Sequence, residues 1–225
     1  MQRFFDIVFS GIALILLSPL LLPLMFILRV TGEGEVFFPQ SRVGRGGKHF
    51  KLYKFATMLK DSPNMGTGTV TVKNDPRVLP MGGFLRKTKI NELPQLINIF
   101  NGNMSVIGPR PQTQRCFDAF PLSSQNEIIK VRPGLSGIGS IIFRNEEDMM
   151  HANNDPDKFY DEIVMPYKGS LENWYVSNQS IGSYFGLIGL TVWVVLSSNS
   201  GLVWAIFKDL PEPPTELKQA VNFTD

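Results

Sequence analysis

The sequence predicts an α/β, membrane-associated protein of monotopic type. Its parts are an N-terminal re-entrant membrane helix hairpin, a small, mostly helical cytoplasmic domain with a short β-hairpin, and interfacial amphipathic helices. Three observations carry this. An apolar run from Ile7 to Leu28 contains no charge and is about long enough to cross a bilayer. A glycine-rich basic stretch, Gln40 to Lys48, leads into Lys51-Leu52-Tyr53-Lys54-Phe55, which reads as a tight turn followed by a half-buried strand. Ile181 to Leu196 is apolar but short, with Trp174, Tyr175, Tyr184 and Trp193 in or just before it, aromatics that prefer a membrane–water interface. The implied boundaries are 1–31 for the membrane helix, 32–180 for the cytoplasmic domain and 181–225 for the C-terminal interfacial helix and tail. A core helix is the alternative for the last apolar segment.

The N-terminal segment is not a plain span. Ser18-Pro19 falls in its middle and Pro23 follows one turn later, so backbone hydrogen bonds are lost and a sharp bend is expected. Arg3 and Arg29 flank the run, and the positive-inside tendency then puts both ends on the cytoplasmic face. The Ser18 hydroxyl is expected to satisfy a carbonyl that proline frees. The alternatives are a proline-kinked full span and a signal peptide, but no small-residue cleavage site follows and the run is long.

The composition, 43% apolar and 19% charged, excludes a disordered chain and leans away from a freely soluble one. A net charge of +2 implies no general affinity for nucleic acid. Locally, Arg42, Arg45, Lys48, Lys51, Lys54 and Lys60 crowd one segment. They form either a solvated face or a patch for anionic headgroups, at about 1 kcal/mol per cation. The single Cys116 excludes an intrachain disulfide and reads as a small core residue. Residues 61–74 read as a loop that suits a cover over a site, and Asp75-Pro76-Arg77 as the turn that ends it.

The chemistry concentrates between Gly82 and Pro111. Arg86, Lys87 and Lys89 precede Asn91-Glu92, and a helix opens at Pro94. Cations, a carboxamide, a carboxylate and the free N–H groups of a helix start therefore converge, as a phosphate-bearing substrate requires. The competing reading of Asn91-Glu92 is a helix cap. Arg110 lies between Pro109 and Pro111, whose rings fix the backbone, so its planar guanidinium is rigidly presented for bidentate phosphate recognition. Arg132-Pro133-Gly134-Leu135-Ser136-Gly137 reads as a structural turn. His151 has no second ligand at metal spacing and reads as a surface residue.

These motifs resemble the monotopic phosphoglycosyl transferases, also called bacterial sugar transferases. The residues that carry the resemblance begin with Arg3-Phe4-Phe5-Asp6, Ser18-Pro19, Val36-Phe37-Phe38, Gln40, Arg42-Val43-Gly44 and Tyr53-Lys54-Phe55. They continue through Asn74-Asp75-Pro76-Arg77, Arg86-Lys87-Thr88, Glu92-Leu93-Pro94-Gln95-Leu96, Asn98, Ser105, Gly108-Pro109-Arg110-Pro111 and Arg132-Pro133-Gly134. The resemblance implies an enzyme at the cytoplasmic face of the bacterial inner membrane. Its expected reaction moves a sugar-1-phosphate from a UDP-sugar to undecaprenyl phosphate, releases UMP, uses Mg²⁺, and initiates surface polysaccharide or glycoconjugate assembly. It implies Asn91 and Glu92 as catalytic residues and metal ligands, and Ser18-Pro19 as the membrane break. Phosphate and nucleotide contacts would come from Arg86, Lys87, Arg77, Asp75, Pro109, Arg110, Pro111, Arg42 and Lys54. Inner-membrane lipid is an expected partner, and exposed apolar faces are open to lipid or to a second copy of the chain, giving a homo-oligomer.

Two positions depart from the family pattern. The catalytic pair is usually Asp-Glu, the aspartate forming a covalent phosphosugar, and Asn91 has no anionic oxygen to do so. Ala56 stands where an arginine is common. Three readings follow: an active transferase, with Glu92 as replacement nucleophile or as base and Mg²⁺ ligand for direct transfer; a substrate-binding scaffold impaired at Asn91; and a non-catalytic membrane partner in glycan assembly.

Overall fold

The computed structural model describes residues 1–65, 75–146, 149, 155–197 and 199–223. Most of the loop expected over 61–74, and His151, lie outside the described residues. Helix α1 (Gln2–Val30) is followed by strands β1 (Phe37–Val43) and β2 (His49–Phe55), then by helices α2 (Gly82–Lys87) and α3 (Gln95–Asn101). Strand β3 (Ser105–Ile107), helices α4 (Gln114–Asp118) and α5 (Leu122–Ile128), strand β4 (Gly134–Ser136) and helix α6 (Ile138–Ile142) come next. The chain closes with α7 (Pro156–Phe159), a π-helical turn at Tyr160–Val164, α8 (Met165–Ser177), α9 (Ile181–Ser197), α10 (Leu202–Ile206) and α11 (Thr215–Lys218). The mixed α/β class agrees with the sequence, and β1 and β2 pair on either side of the expected glycine turn, where Gly46 and Gly47 adopt φ of 70° and 71°.

Two compact units emerge, one made of Phe5–Ser41 and Lys51–Asn101, the other of Met1–Phe4, Arg42–Phe50 and Gly102–Asp225. In the first, α1 is long and apolar enough to cross a membrane by length and composition, the one such helix among the described residues. Pro19 offers no N–H to the Ile15 carbonyl, and the Ser18 hydroxyl donates to that oxygen at 2.7 Å. The helix runs on through Pro19 and Pro23 as one element, so the two-helix hairpin anticipated at Ser18-Pro19 is not shown. The stripe Leu21, Leu24 and Leu28 packs on Phe55 of β2 and Leu85 of α2, with Met81, Ile90 and Leu93 at its margin. Ile15, Leu16, Leu22 and Phe26 point outward and are exposed.

Asn98 ties α3 to β2. Its side chain accepts from the Tyr53 N–H at 2.9 Å and donates to the Lys51 carbonyl at 2.8 Å, completing an edge that no third strand among the described residues covers. Gly82 lets α2 begin against the chain after β2, for an added Cβ would lie 2.1 Å from the Thr57 carbonyl oxygen.

In the second unit, β3 and β4 pair in parallel, Ser105 opposite Gly134 and Ile107 opposite Ser136. The segment read as a turn at 132–137 is therefore partly a strand. The cause is a close backbone approach between distant glycines, which no local pattern reveals. Gln2 fastens the start of the chain here, its amide lying 3.0 Å from both Ser105 Oγ and the Ile107 carbonyl. Helix α9 buries Tyr184, Leu187, Leu190 and Val194 and exposes Val192, Trp193, Val195 and Leu196. One of its faces is thus core and the other is open.

Replacing Asn98, which is fully buried, with Ala strands one backbone donor and one acceptor. The expected loss is about 2 kcal/mol of unfolding free energy, measured by chemical denaturation in detergent. Asn98→Asp is expected to lose nearly as much, because it keeps the acceptor but not the donor.

Candidate active site

Asn91 and Glu92 occupy a single tight helical turn, Ile90–Glu92, seated on the apolar stripe of α1 through Ile90. Lys89 enters the turn with φ 60°, a left-handed conformation that costs a side-chain-bearing residue of order 1 kcal/mol and is frequent at functional sites. Lys54 of β2 donates to Glu92 Oε1 at 3.1 Å, with both side chains about three-quarters buried. Of the residues expected at the site, the structure thus brings these two together. Asn91 Oδ1 is buried and has no hydrogen-bond partner among the described residues. Arg86 at the end of α2 lies with Nη1 3.0 Å from Met58 Sδ, and Lys87 beside it is exposed.

Asp75 and Arg77 take another form. Both are buried, joined at 2.6 Å, and Arg77 also donates to the Ser62 and Met65 carbonyls at 2.8 and 2.7 Å. Such a network braces the chain on both sides of 66–74, and the phosphate contact expected of this pair would require it to open.

The second unit holds the remaining expected cations. Pro109 and Pro111 are buried while Arg110 between them is exposed, as the rigid presentation of its guanidinium requires. Arg42 Nη1 lies 3.4 Å from the Pro111 carbonyl, and the Val43 N–H donates to Gln112 O at 3.0 Å, so β1 runs beside this loop. Val43, Gly44, Pro109, Arg110, Gln112 and Pro133 line a cleft there. Cys116 is half-buried and free.

Sequence reasoning missed a buried acidic group on α8. Lys168, Leu171, Glu172 and Tyr175 share one helix face, all buried, and Lys168 pairs with Glu146 at 2.5 Å. Burial pushes the Glu172 carboxyl from its ordinary 4.5 up to about 7, against the opposing pull of Lys168 and of the Arg110 backbone N–H. A lone carboxylate amid Leu171, Trp174 and Tyr175 was the available signal.

The Asn91-Glu92 turn suits a hard divalent cation in one respect: its orphaned carboxamide oxygen adjoins a carboxylate, both oxygen donors. Among the described residues no group of three or more His, Cys, Asp or Glu gathers. A cation here would complete its shell with substrate phosphate and water, as Mg²⁺ does.

Residues 1–198 match the family described as bacterial sugar transferase. The exopolysaccharide production protein ExoY of Rhizobium meliloti is 36% identical over 159 residues, 64% of this chain and 70% of its own length. The undecaprenyl-phosphate galactose phosphotransferase of Salmonella typhimurium is 32% identical over 211 residues, 87% of this chain and 40% of its own. The UDP-glucose:undecaprenyl-phosphate glucose-1-phosphate transferase of Escherichia coli is 37% identical over 153 residues, 67% and 33% respectively. The chain thus spans less than half the length of the last two.

Because Glu172 holds its proton more tightly when folded, the folded state binds more protons than the unfolded one between pH 4.5 and about 7. Stability from this group is greatest below that window and falls as pH rises through it. Melting temperatures of wild type and Glu172→Gln, followed across the window, are expected to diverge in favour of Gln as pH rises. A constant difference would contradict the assignment.

Proposed function

Because this chain belongs to the bacterial sugar transferase family, we propose that it moves a sugar-1-phosphate from a UDP-sugar to undecaprenyl phosphate, releasing UMP and initiating surface polysaccharide or glycoconjugate assembly. The observation that carries the proposal is the Lys54–Glu92 pair on the Ile90–Glu92 turn, which keeps a fixed carboxylate where position 91 supplies none.

Attack occurs at the phosphorus that bears the sugar. The attacking oxygen belongs either to Glu92, giving a glutamyl phosphosugar that undecaprenyl phosphate then opens, or to undecaprenyl phosphate directly, with Glu92 taking its proton. In both routes the bridging P–O bond breaks and its electron pair leaves with UMP. A pyrophosphate resists an anionic nucleophile until its charge is neutralised, the role proposed for Arg86 and Lys87; Arg110, rigidly presented in its own unit, is proposed as a phosphate ligand. Mg²⁺, held through Asn91 Oδ1 and Glu92, would add to that neutralisation.

The same reading puts the protein at the cytoplasmic face of the inner membrane. There α1 enters one leaflet and returns, bending at Ser18-Pro19, and α9 rests on the interface. The support is chemical: α1 turns Ile15, Leu16, Leu22 and Phe26 outward, and α9 does the same with Trp193, Val195 and Leu196.

The test is UMP release by the full chain with Mg²⁺, undecaprenyl phosphate and a panel of UDP-sugars. The wild type is expected to turn over at least one donor, Glu92→Gln to lose about 100-fold or more, and Asn91→Asp to gain. No release with any donor would overturn the proposal.

A further inference from the structure

The second unit buries a carboxyl group that no ion pair among the described residues accounts for. Glu172 is 4% exposed, and its Oε2 has no hydrogen-bond partner among the described residues. Lys168, one turn earlier on α8, gives its ammonium to Glu146 at 2.5 Å and lies over the ring of Phe143 at 5.0 Å. Glu172 instead receives the backbone N–H of Arg110. Its Oε1 also rests against Gly139 of α6, where an added Cβ would lie 2.5 Å from that oxygen. A buried charge costs far more than one neutral hydrogen bond returns, so an acid retained here points to a task beyond packing.

We propose that Glu172 is a positioning residue: seated against Gly139, its carboxyl group holds the Arg110 backbone amide and thereby fixes how the exposed Arg110 guanidinium is presented to a substrate phosphate. This rests on the reading of Arg110 as a phosphate ligand. The geometry suits the task. Pro109 and Pro111 deprive their own positions of amide donors, so the Arg110 N–H is the handle the loop offers between them. A carboxylate is the stronger acceptor for it.

Two variants disturb the contact differently. Glu172→Leu removes the acceptor, whereas Gly139→Ala displaces the carboxylate, keeps its charge, and places a better helix former in α6. Glu172→Gln retains an acceptor oxygen and serves as the conservative rescue. In UMP-release assays on the full chain, Glu172→Leu and Gly139→Ala are expected to raise the KM for UDP-sugar about tenfold, with little change in kcat. Glu172→Gln is expected to recover most of that loss, and Glu172→Leu to add nothing to KM in an Arg110→Ala background. A fully multiplicative effect in that background, or a fall in kcat at constant KM, would overturn the proposal and leave Glu172 a structural group.

Amide hydrogen exchange over Gly108–Gln112 reads the same contact without turnover. Faster exchange at Arg110 is expected in Glu172→Leu and Gly139→Ala but not in Glu172→Gln, and unchanged exchange in both disruptive variants overturns the proposal. A wild type that releases no UMP fails the transferase reading alone, and the exchange measurement then decides the fate of Glu172.

Discussion

At Gly108 the backbone meets two other stretches of chain at distances that leave no room for a side chain. An added Cβ on Gly134 would lie 2.1 Å from the Gly108 nitrogen, and one on Gly137 2.2 Å from its carbonyl oxygen. This crossing joins β3 to β4, with hydrogen bonds from Gly108 N to Ser136 O at 2.9 Å and from Gly134 N to Pro109 O at 2.8 Å. Once it is made, the chain has little freedom until Pro111. The two proline rings go inward, and the one side chain between them is exposed. An arginine set in a loop this constrained gives up less conformational entropy on meeting an anion than one on an open surface.

The α1 unit solves a different problem with the same economy. A tight turn bearing a carboxamide and a carboxylate has no core of its own, so it borrows one. Leu21, Leu24 and Leu28 of α1 supply the buried surface, and Ile90 and Leu93 bracket the polar pair against it. The long apolar helix α1 is therefore the foundation of the polar Asn91-Glu92 turn. Left-handed Lys89 is the local strain this arrangement tolerates.

Much of this was legible in the sequence wherever the determinant is local. The prolines around Arg110 fix their own backbone, the glycines at 44–47 turn the hairpin, and the Ser18 hydroxyl answers the carbonyl that Pro19 leaves, one residue away. Features set by distant partners were not legible. Gly134–Ser136 looks like a turn until Gly108 is beside it, and Asp75 and Arg77 look like a charged surface turn until the Ser62 and Met65 carbonyls claim the guanidinium. Glu172 belongs with these. Its sequence neighbours Trp174 and Tyr175 read as interfacial aromatics, yet both are buried, and only the approach of Arg110 and Gly139 shows what the carboxyl group faces. Asn91, conspicuous as a departure, keeps its oxygen buried and unmatched among the described residues, which is where a bound group would be felt.

The central claim is that Glu92, fixed by Lys54, carries phosphosugar transfer although residue 91 is an amide. The most direct measurement follows a label on the sugar-linked phosphate of a UDP-sugar into the organic phase, with undecaprenyl phosphate supplied and the full chain as catalyst. The account predicts label in the lipid fraction with the wild type, and almost none with Glu92→Gln. Equal transfer by the two proteins would contradict it.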